Sequence, residues 1–452
     1  MEINPSKIYE KYIKNELDKQ SATELLLSLA EGSNNANIRV ESIKKLGLLG
    51  SIGKNTYKFL EYLLISDSNE AVRNASALIL KKLFLDKALE PMKWALIHEE
   101  STFCLKTIHK AVIEIINNLV KNQNHFTELQ LLEEVKKIRK KDFRLGFELM
   151  CESKDIKAIL KSELADILIN YFTTLYLEKT YWRLKYKIEK CKITKLDFIF
   201  KGLTSIPKLI KNLSSLRVLI LRYNQLVFLP NWISSLKSLE SLNLNVNNLK
   251  CIPESIGDLK TLKELYLWKN ELKEIPKSIG KLQNLQILNL RLNQLKNLPN
   301  TIGNLLSLRE LDLHDNQLKE IPPSIQYLNK LEVLNLSCNF LKTLPGNLNF
   351  LTSLRILNLE RNEIINLPKN IGDLPSLEIL NVSDNKLETI PESIGNLKSL
   401  KYLNLSRNNL VTIPTSIESL YSLKELYLGD NEFQETQETL KILRNKGVQI
   451  CL

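Results

Sequence analysis

A thiol close to an imidazole is the first pair of side chains in this sequence that could do chemistry, as nucleophile and general base. Cys104 and His109 are five residues apart, and His98 and His125 lie in the same half of the chain. Apolar residues recur at helical spacing around Cys104, however, which favours a buried and unreactive thiol. The three histidines have no partner at metal-ligand spacing. We therefore predict no catalytic residue and no metal site.

The glycines carry no signature of a nucleotide site. None of the 14 glycines belongs to a GxxxxGK[ST] motif or to a GxGxxG motif after a strand, the two loops that bind phosphate through backbone amides. Gly47, Gly50 and Gly53 are spaced by three where a predicted helix ends, which suits a turn. The sequence therefore predicts a protein that is not an enzyme, needs no cofactor and contains no GTPase domain.

The net charge of +12 comes from lysines and arginines that are spread along the chain. The two densest basic runs are residues 136–144 and 179–192, and acids such as Glu133, Glu134 and Glu189 accompany them. On predicted helices this pattern favours solvated faces. Nucleic-acid binding through the same runs is the disfavoured alternative, and it would show as a steep loss of retention with added salt.

The C-terminal part of the chain is built on a 23-residue period. Proline and asparagine each recur ten times at this interval, which chance does not explain. The prolines are Pro207, Pro230, Pro253, Pro276, Pro299, Pro322, Pro345, Pro368, Pro391 and Pro414. The asparagines, which we expect to form a structural ladder, are Asn224, Asn247, Asn270, Asn293, Asn316, Asn339, Asn362, Asn385, Asn408 and Asn431.

Each asparagine ends the pattern LxxLxLxxNxL, as in Leu262, Leu265, Leu267 and Asn270. Alternation over LxL predicts a short strand whose leucines point inward. One repeat cannot bury its leucines alone, whereas stacked repeats can. The asparagine amide can satisfy backbone groups in the turns between successive coils. The Ile-Pro step and the glycine of the IGxL that follows it predict a return segment with a tight bend at the glycine.

Both ends of the array depart from this pattern. The first turn has Lys201 in place of the asparagine, which predicts a degenerate first coil next to the preceding domain. The last turn keeps Asn431 but loses the Ile-Pro step. A helix that ends at Gly447 and a short final strand are expected to cap the apolar end of the array.

Residues 1–190 show helical periodicity and no strand alternation. Residues 36–46 align with residues 70–80 at an offset of 34, and a weaker third copy follows at residues 103–111. This resembles HEAT repeats, in which a short turn, here containing Asp67, precedes a helix with a Val-Arg pair. A generic helical bundle is the alternative. Residues 123–190 are expected to be helical without a repeat register.

The 23-residue unit LxxLxLxxNxLxxIPxxIGxLxxL resembles that of intracellular leucine-rich repeat proteins, namely Ras-binding scaffolds, plant Ras-group repeat proteins and disease-resistance receptors. The resemblance implies an α/β leucine-rich repeat solenoid of horseshoe shape, preceded by an all-α HEAT-like domain. The predicted divisions are HEAT-like repeats in 1–122, a helical extension and junction in 123–192, about eleven leucine-rich repeats in 193–437 and a cap in 438–452.

Several features favour the cytoplasm. The first seven residues lack the charged-then-apolar pattern of a secretion signal, and the most apolar stretch, residues 167–177, is too short for a membrane span. The six cysteines form no CxxC pair, and the cysteine-rich caps usual in extracellular leucine-rich repeat proteins are missing. We therefore expect a soluble chain in a reducing compartment.

The resemblance implies that the concave face of the sheet engages another protein. Its free positions hold mostly Asn and Ser in the second half of the array but aromatic and charged residues in the first. We predict that an exposed Trp268 and its neighbours contact the partner, since aromatics and arginine are enriched at interface hot spots. Packing of single aromatics on their strand neighbours is the alternative. The predicted partner-binding residues are Arg222, Tyr223, Tyr266, Trp268, Lys269, Arg291, Asp312 and His314.

The predicted function is a non-catalytic scaffold or adaptor in intracellular signalling, with a small GTPase or another signalling protein as its partner. The alternative is a regulatory or targeting subunit of an enzyme complex in a small GTPase or phosphatase pathway. Nucleotide-dependent capture of a small GTPase would distinguish the two.

Overall fold

The chain forms two compact units, residues 1–193 and 194–452. The first is helical, and the second repeats a short strand and a 3-10 helix. No helix in the described part of the chain is long and apolar enough to cross a membrane. The computed structural model describes residues 4–50, 52–85, 87–121, 125–153, 159–433 and 437–452, without the side chains of 125–128, 152–153 and 437.

Ten α-helices and one short strand make up most of the described residues of the first unit. Helix α2 packs on α3, α4 on α5 and α6 on α7, so this part of the chain is a series of helix pairs. The elements are α1 (Pro5–Ile13), α2 (Lys19–Gly32), α3 (Ala36–Leu49), α4 (Lys54–Ser66), α5 (Glu70–Leu83), α6 (Leu89–His98), α7 (Thr102–Lys121), α8 (His125–Lys136), α9 (Lys141–Ser153), α10 (Lys161–Thr180) and β1 (Lys185–Glu189).

Helices α3 and α5 repeat each other in detail. Both have 14 residues, and both begin after an asparagine whose side chain accepts a hydrogen bond from the amide two residues further on. Arg39 of α3 forms an ion pair with Asp67 at 3.0 Å, and Arg73 of α5 forms one with Glu99 at 2.7 Å. Each arginine therefore ties its helix to the turn of the next helix pair. A relation to HEAT repeats stays a prediction.

The basic segment after α10 is not helical, contrary to prediction. Strand β1 begins at Lys185, and Lys190 and Cys191 turn the chain with positive φ angles of 48° and 62°. Polar and apolar residues do alternate over the KYKIE of β1, which is the period of a strand. The run is short and follows a long helix, so its period was easily missed.

His109 is buried in the first unit, with 4% of its surface exposed. Its Nε2 lies 3.1 Å from the Thr173 hydroxyl, and the centre of its ring is 4.8 Å from that of Tyr176. Both partners are on α10, so His109 joins α7 to α10. Burial lowers the pKa of His109 from an ordinary 6.5 to about 4. Between these values the unfolded chain takes up a proton that the folded chain does not, so acidification destabilises the fold.

We expect the free energy of unfolding of this unit to fall by about 1.4 kcal/mol for each pH unit between pH 6.5 and pH 4 on account of His109. Glutamine does not titrate, so the His109→Gln variant should lose this part of the pH dependence. Urea denaturation followed by circular dichroism over that pH range measures both proteins. Equal pH dependence in the two would contradict the prediction.

In the second unit, strands β2 to β13 follow one another in a parallel sheet. From β2 to β12 the paired residues are 23 positions apart, as in Leu265 beside Leu288. The strands are β2 (Lys192–Asp197), β3 (Val218–Ile220), β4 (Ser241–Asn243), β5 (Glu264–Tyr266), β6 (Ile287–Asn289), β7 (Glu310–Asp312), β8 (Val333–Asn335), β9 (Ile356–Asn358), β10 (Ile379–Asn381), β11 (Tyr402–Asn404), β12 (Glu425–Tyr427) and β13 (Gln449–Cys451).

Each coil buries its leucines on the inner side of the sheet. Leu265, in the middle of β5, and Leu267, just after it, are both fully buried. A 3-10 helix lies on the return side of each coil, and where a proline directly precedes it, as Pro276 does, its ring sets φ near −68°. The 3-10 helices are Lys208–Asn212, Asn231–Ser235, Glu254–Asp258, Lys277–Lys281, Asn300–Asn304, Pro323–Tyr327, Leu348–Phe350, Ile371–Asp373, Glu392–Asn396 and Thr415–Ser419.

The glycine of the return segment has a different role from the predicted one. Among the described glycines, positive φ angles occur at Gly50, Gly202 and Gly447 alone. Gly280 has no such angle, but a Cβ atom there would collide with the carbonyl oxygen of Thr301 in the next coil. The prediction that glycine is needed here for the bend of its own backbone is therefore wrong. Glycine is needed because adjacent coils approach each other closely.

We expect Gly280→Ala to lower the free energy of unfolding by about 1–3 kcal/mol, because the added methyl group meets backbone that must shift. Gly346→Ala is the matched control, since a Cβ atom at Gly346 has no atom within 4 Å. Chemical denaturation of the two variants measures the difference. A Gly280→Ala protein as stable as the control would rule out the close-packing explanation.

The ten asparagines at the 23-residue interval join successive coils. In a typical case, Nδ2 of Asn316 donates to the carbonyl oxygens of Leu290 and Leu313, both at 3.0 Å. Its Oδ1 accepts a hydrogen bond from the amide of Leu295, also at 3.0 Å. Leu290 and Leu295 belong to the preceding coil, so one side chain satisfies three backbone groups in two coils. Nine of the ten asparagines are buried, where no water could replace these bonds.

The last coil ends in a helix and a strand. Helix α11 (Gln437–Asn445) buries Leu440 and Leu443, and Gly447 follows it with a φ of 84°. Strand β13 then pairs with β12. Residues 434–436, at the start of the predicted cap helix, lie outside the described residues.

Candidate protein-interaction face

The outward side of strands β2 to β12 is the concave face on which a partner is predicted to bind. The last residue of each strand points out from it, and in eight of the eleven strands this residue is Asn or Asp. Each of the eight accepts, through Oδ1, a hydrogen bond of 3.0–3.2 Å from the amide two residues further on. These Asn and Asp residues of the concave face are therefore part of the scaffold.

Strand β5 breaks this rule with an aromatic pair. Tyr266 stands where the asparagine is expected, and Trp268 is the residue whose amide that asparagine would bind. The Trp268 amide instead donates to Oδ1 of Asn245, in the preceding coil, at 2.8 Å. The backbone is thus satisfied by another route, and the scaffold does not require either aromatic side chain.

Trp268 is less exposed than predicted. Its side chain is half-buried rather than exposed. Its Nε1 is buried and has no hydrogen-bond partner among the described residues. A buried donor without a partner is destabilising by about 1–3 kcal/mol. The aromatic pair therefore carries a free-energy cost that the scaffold does not explain.

Acidic side chains surround the aromatic pair on the strand side. Burial, together with the charges of Glu264 and Glu310, raises the pKa of Tyr266. Burial and the charge of Asp312 raise the pKa of Glu310. Glu264 and Glu310 are not among the predicted residues, because the prediction rests on the last residue of each strand and the positions after it and not on the first residue. Reading that first position along the array finds both.

Basic side chains lie at the carboxyl end of the same strands. Arg291 is exposed, and its charge adds to burial in lowering the pKa of His314. The Nδ1 of His314 lies 2.6 Å from the Ser337 hydroxyl. Asp312 also belongs to the scaffold, because its Oδ1 accepts a hydrogen bond from the His314 amide at 3.0 Å. Glu264 and Glu310 thus place acids at the start of these strands, and Arg291 places a basic side chain, near Asp312, at their end.

Two of the predicted residues lie apart from this group, on the far side of β4. Tyr223 stacks on Phe200, with ring centres 4.6 Å apart, and the Arg222 guanidinium lies 5.6 Å from the Tyr223 ring. Phe200 is 71% exposed and was not predicted. The predicted residues thus form two clusters: Arg222 and Tyr223 with Phe200, and the other six on the coils of β5 to β7, called the aromatic patch below.

The position before each ladder asparagine has a left-handed backbone. Tyr223 and Lys269 have φ angles of 57° and 56°, and even Val246 and Leu292 have 55° and 54°. Side chains of these types seldom adopt such angles. The hydrogen bonds made by the neighbouring asparagine hold the turn in this conformation. The residue type at the position before the asparagine varies and does not predict the left-handed backbone.

Two of the side chains first considered for catalysis, Cys104 and His98, make contacts within the first unit. Cys104 is fully buried and lies 3.2 Å from the Glu70 carbonyl oxygen; burial, with the charge of Glu99, raises the pKa of its thiol to about 12. His98 stacks on Trp94 with ring centres 4.2 Å apart. The side chain of His125 lies outside the described residues.

Much of the basic charge near residues 136–192 is paired with acids. Lys137 forms ion pairs with Glu134 and Glu90, and Lys140 forms one with Glu178 at 2.7 Å. Pairs of this kind leave less charge available for phosphates. The arrangement supports the reading of these runs as ion-paired surface.

Comparisons with known proteins place the repeats in a family. A model described as leucine rich repeat matches residues 193–249, 260–318 and 307–364, and a model described as leucine-rich repeat region matches residues 346–445. No curated protein matches the chain. The matched residues nevertheless amount to more than half of the sequence.

Solved structures share the repeat architecture. A leucine-rich repeat protein of Leptospira interrogans is 31% identical, over 56% of this chain and 82% of its own, with a TM-score of 0.36. A TDR receptor is 28% identical, over 60% of this chain and 47% of its own, with a TM-score of 0.52. The ectodomain of a plant membrane receptor kinase of Arabidopsis thaliana is 28% identical, over 58% of this chain and 38% of its own, with a TM-score of 0.49. The chain spans less than half of the length of these two receptor chains.

The predicted fold class is confirmed by the parallel coils and by the family models together. Leucine-rich repeats generally mediate protein–protein interaction and are typically not enzymes. With the 23-residue coils, the asparagine ladder and the matches over residues 193–445, the chain belongs to the leucine-rich repeat proteins and has a helical N-terminal unit.

Proposed function

We propose that the protein is a non-catalytic scaffold that binds a protein partner through the aromatic patch on its concave face. The observation that carries this is the replacement of a scaffold asparagine by Tyr266, compensated by Asn245. A large side chain kept at the expense of a regular backbone bond, next to a half-buried Trp268 with an unpartnered Nε1, is better explained by binding than by folding.

The size and character of the patch suit a protein interface. Strands lie about 4.8 Å apart, so the aromatic patch spans about 10 Å along the array, and all eight predicted residues, on the coils of β3 to β7, span about 20 Å. Tyr, Trp and Arg are the residues most enriched at interface hot spots. Glu264 and Glu310 on one side, and Lys269 and Arg291 on the other, would fix the orientation of a partner with the complementary arrangement of charge.

We place the protein in a reducing compartment as part of this proposal. All six cysteines are free, and Cys104 and Cys191 are buried. Signalling proteins of the cytoplasm, small GTPases among them, are the candidates for the partner. Retention of a small GTPase only with a GTP analogue would identify the protein as a regulatory subunit of that pathway.

The test is affinity capture from a native lysate with the full chain as bait, beside a bait whose aromatic patch has been removed. Proteins that bind the first bait and not the second are the expected partners. A set of captured proteins unchanged by removal of the patch would overturn the proposal.

A further inference from the structure

Five lysines form a row along one edge of the second unit. Each lies three residues after a ladder asparagine, on five consecutive coils, and all five side chains are exposed. None forms an ion pair with another described residue. The lysine row is Lys250, Lys273, Lys296, Lys319 and Lys342.

The backbone places these side chains in a line. Phe228 and Cys251, which follow the row position on the coils of β3 and β4, pair as parallel bridge residues. Asn366 and Thr389 do the same in later coils. Neighbouring coils therefore run side by side in extended form here, about 4.8 Å apart, and the row is about 20 Å long.

The scaffold does not require lysine at this position. The equivalent residues on other coils are Val227, Ile365, Glu388 and Val411, so the coil accepts apolar and acidic side chains there. Five like charges at this spacing repel one another. The row is thus neither a consequence of the repeat nor a source of stability.

Charged residues at another repeat position form ion pairs between coils, in contrast to the lysine row. Just before the strands, Glu240 binds Arg217 at 2.6 Å and Lys263 at 2.7 Å. Glu378 likewise binds Arg355 at 3.0 Å and Lys401 at 2.8 Å. In these two groups of three residues the charges alternate in sign and neutralise each other between coils. The lysine row has one sign and no such partner in the described part of the chain, which leaves its charge free for a ligand.

The residues that follow each lysine of the row indicate that its ligand is a narrow anion. The next position along the chain holds Cys251, Glu274, Asn297, Glu320 and Thr343, so two acids flank a line only one lysine wide. A membrane surface or a nucleic-acid duplex is broad and would meet Glu274 and Glu320. Single-stranded nucleic acid is usually held by aromatic stacking as well, and the row and its following position contain no aromatic residue.

We infer that the lysine row binds an extended acidic segment of a protein, whose carboxylates contact successive lysines. The row lies on the coils of β4 to β8, and the aromatic patch lies on those of β5 to β7, so one partner can contact both surfaces. The inference goes beyond the proposed function, and an acidic peptide tests it without the aromatic patch.

The experiment measures binding of a fluorescein-labelled decaglutamate peptide to the full chain by fluorescence anisotropy at low ionic strength. In one variant Lys273, Lys296 and Lys319 are replaced by Gln. In the control variant, three exposed lysines from other columns, Lys237, Lys330 and Lys424, are replaced by Gln, which removes the same charge. Decauridine RNA and phosphatidylserine vesicles serve as competing probes.

We expect the row variant to bind the peptide about tenfold more weakly than the natural sequence, and the control variant to differ from it by less than about twofold. Circular dichroism should show both variants folded, since all six lysines are exposed. Equal losses in the two variants, or no loss in the row variant, would overturn the inference. Tighter binding of the RNA or the vesicles than of the peptide, lost in the row variant, would overturn it in favour of those ligands.

Discussion

Replacing Tyr266 by Asn and Trp268 by Ser in one chain is expected to abolish partner capture while leaving the solenoid folded. The double change gives β5 the sequence found at β8, β10 and β11, where Asn is followed two positions later by Ser. At β8, Oδ1 of Asn335 accepts one hydrogen bond from the amide of Ser337, at 3.2 Å, and another from its hydroxyl, at 2.7 Å. The variant therefore restores the regular scaffold bond.

The expected loss of binding is large, because hot-spot aromatics each contribute about 2 kcal/mol or more, which corresponds to about thirtyfold in affinity. Stability should be unchanged or slightly higher. The variant lacks the unpartnered Nε1 of Trp268, and the asparagine side chain introduced at position 266 can accept a hydrogen bond from the amide two residues further on in its own coil. Affinity capture and a thermal melt of the same preparations measure the two effects.

The matched control is Tyr427→Asn, which makes the same exchange at the end of β12, outside the aromatic patch. This variant should capture the partner as the natural sequence does. If the control lost the partner equally, or if the double variant kept it, the aromatic patch would not be the binding surface.

A second large effect is expected from the asparagine ladder. Asn316→Ala should lower the free energy of unfolding by about 2–4 kcal/mol, because it leaves one buried amide without a partner and removes one hydrogen bond from each of two buried carbonyl groups. The amide is that of Leu295, and the carbonyl groups are those of Leu290 and Leu313. These carbonyl groups keep their second hydrogen bonds, which Asn293 and Asn339 donate. Urea denaturation measures the change, and hydrogen exchange of the peptides around Leu290 should show where the coils open.

Asn335→Ala is the control for this prediction, because it removes an asparagine of the other kind, on the half-buried concave face. That residue accepts from Ser337 alone, and water can reach the site, so a loss of about 1 kcal/mol is expected. Similar losses in the two variants would mean that burial of the ladder does not determine its contribution.

The helical unit shows what local patterns can and cannot predict. The internal alignment of residues 36–46 with residues 70–80 anticipates α3 and α5, since capping residue and helical period lie within each segment. The ion pairs of Arg39 and Arg73 join groups 28 and 26 positions apart, and neither was expected. Strand β1 was missed because five alternating residues are too few to distinguish from the helix before them.

The 23-residue period by itself determined that this protein is a stack of parallel coils. Leucine, asparagine and proline each make contacts within one coil or between a coil and its neighbour. The same contacts therefore recur with each repeat of the sequence. The same logic located the free positions on the concave face, because strand alternation fixes which residues are not in the core.

Only the tertiary structure decided which of those free positions are truly free. Most of the concave Asn and Asp residues prove to bond the backbone, Trp268 lies half-buried, and the return glycines are set by the approach of the next coil. The compensation of Tyr266 by Asn245 joins residues 21 positions apart and has no counterpart on the other described coils. A repeat predicts the contacts that recur, whereas a contact made once depends on the particular side chains that neighbouring coils bring together.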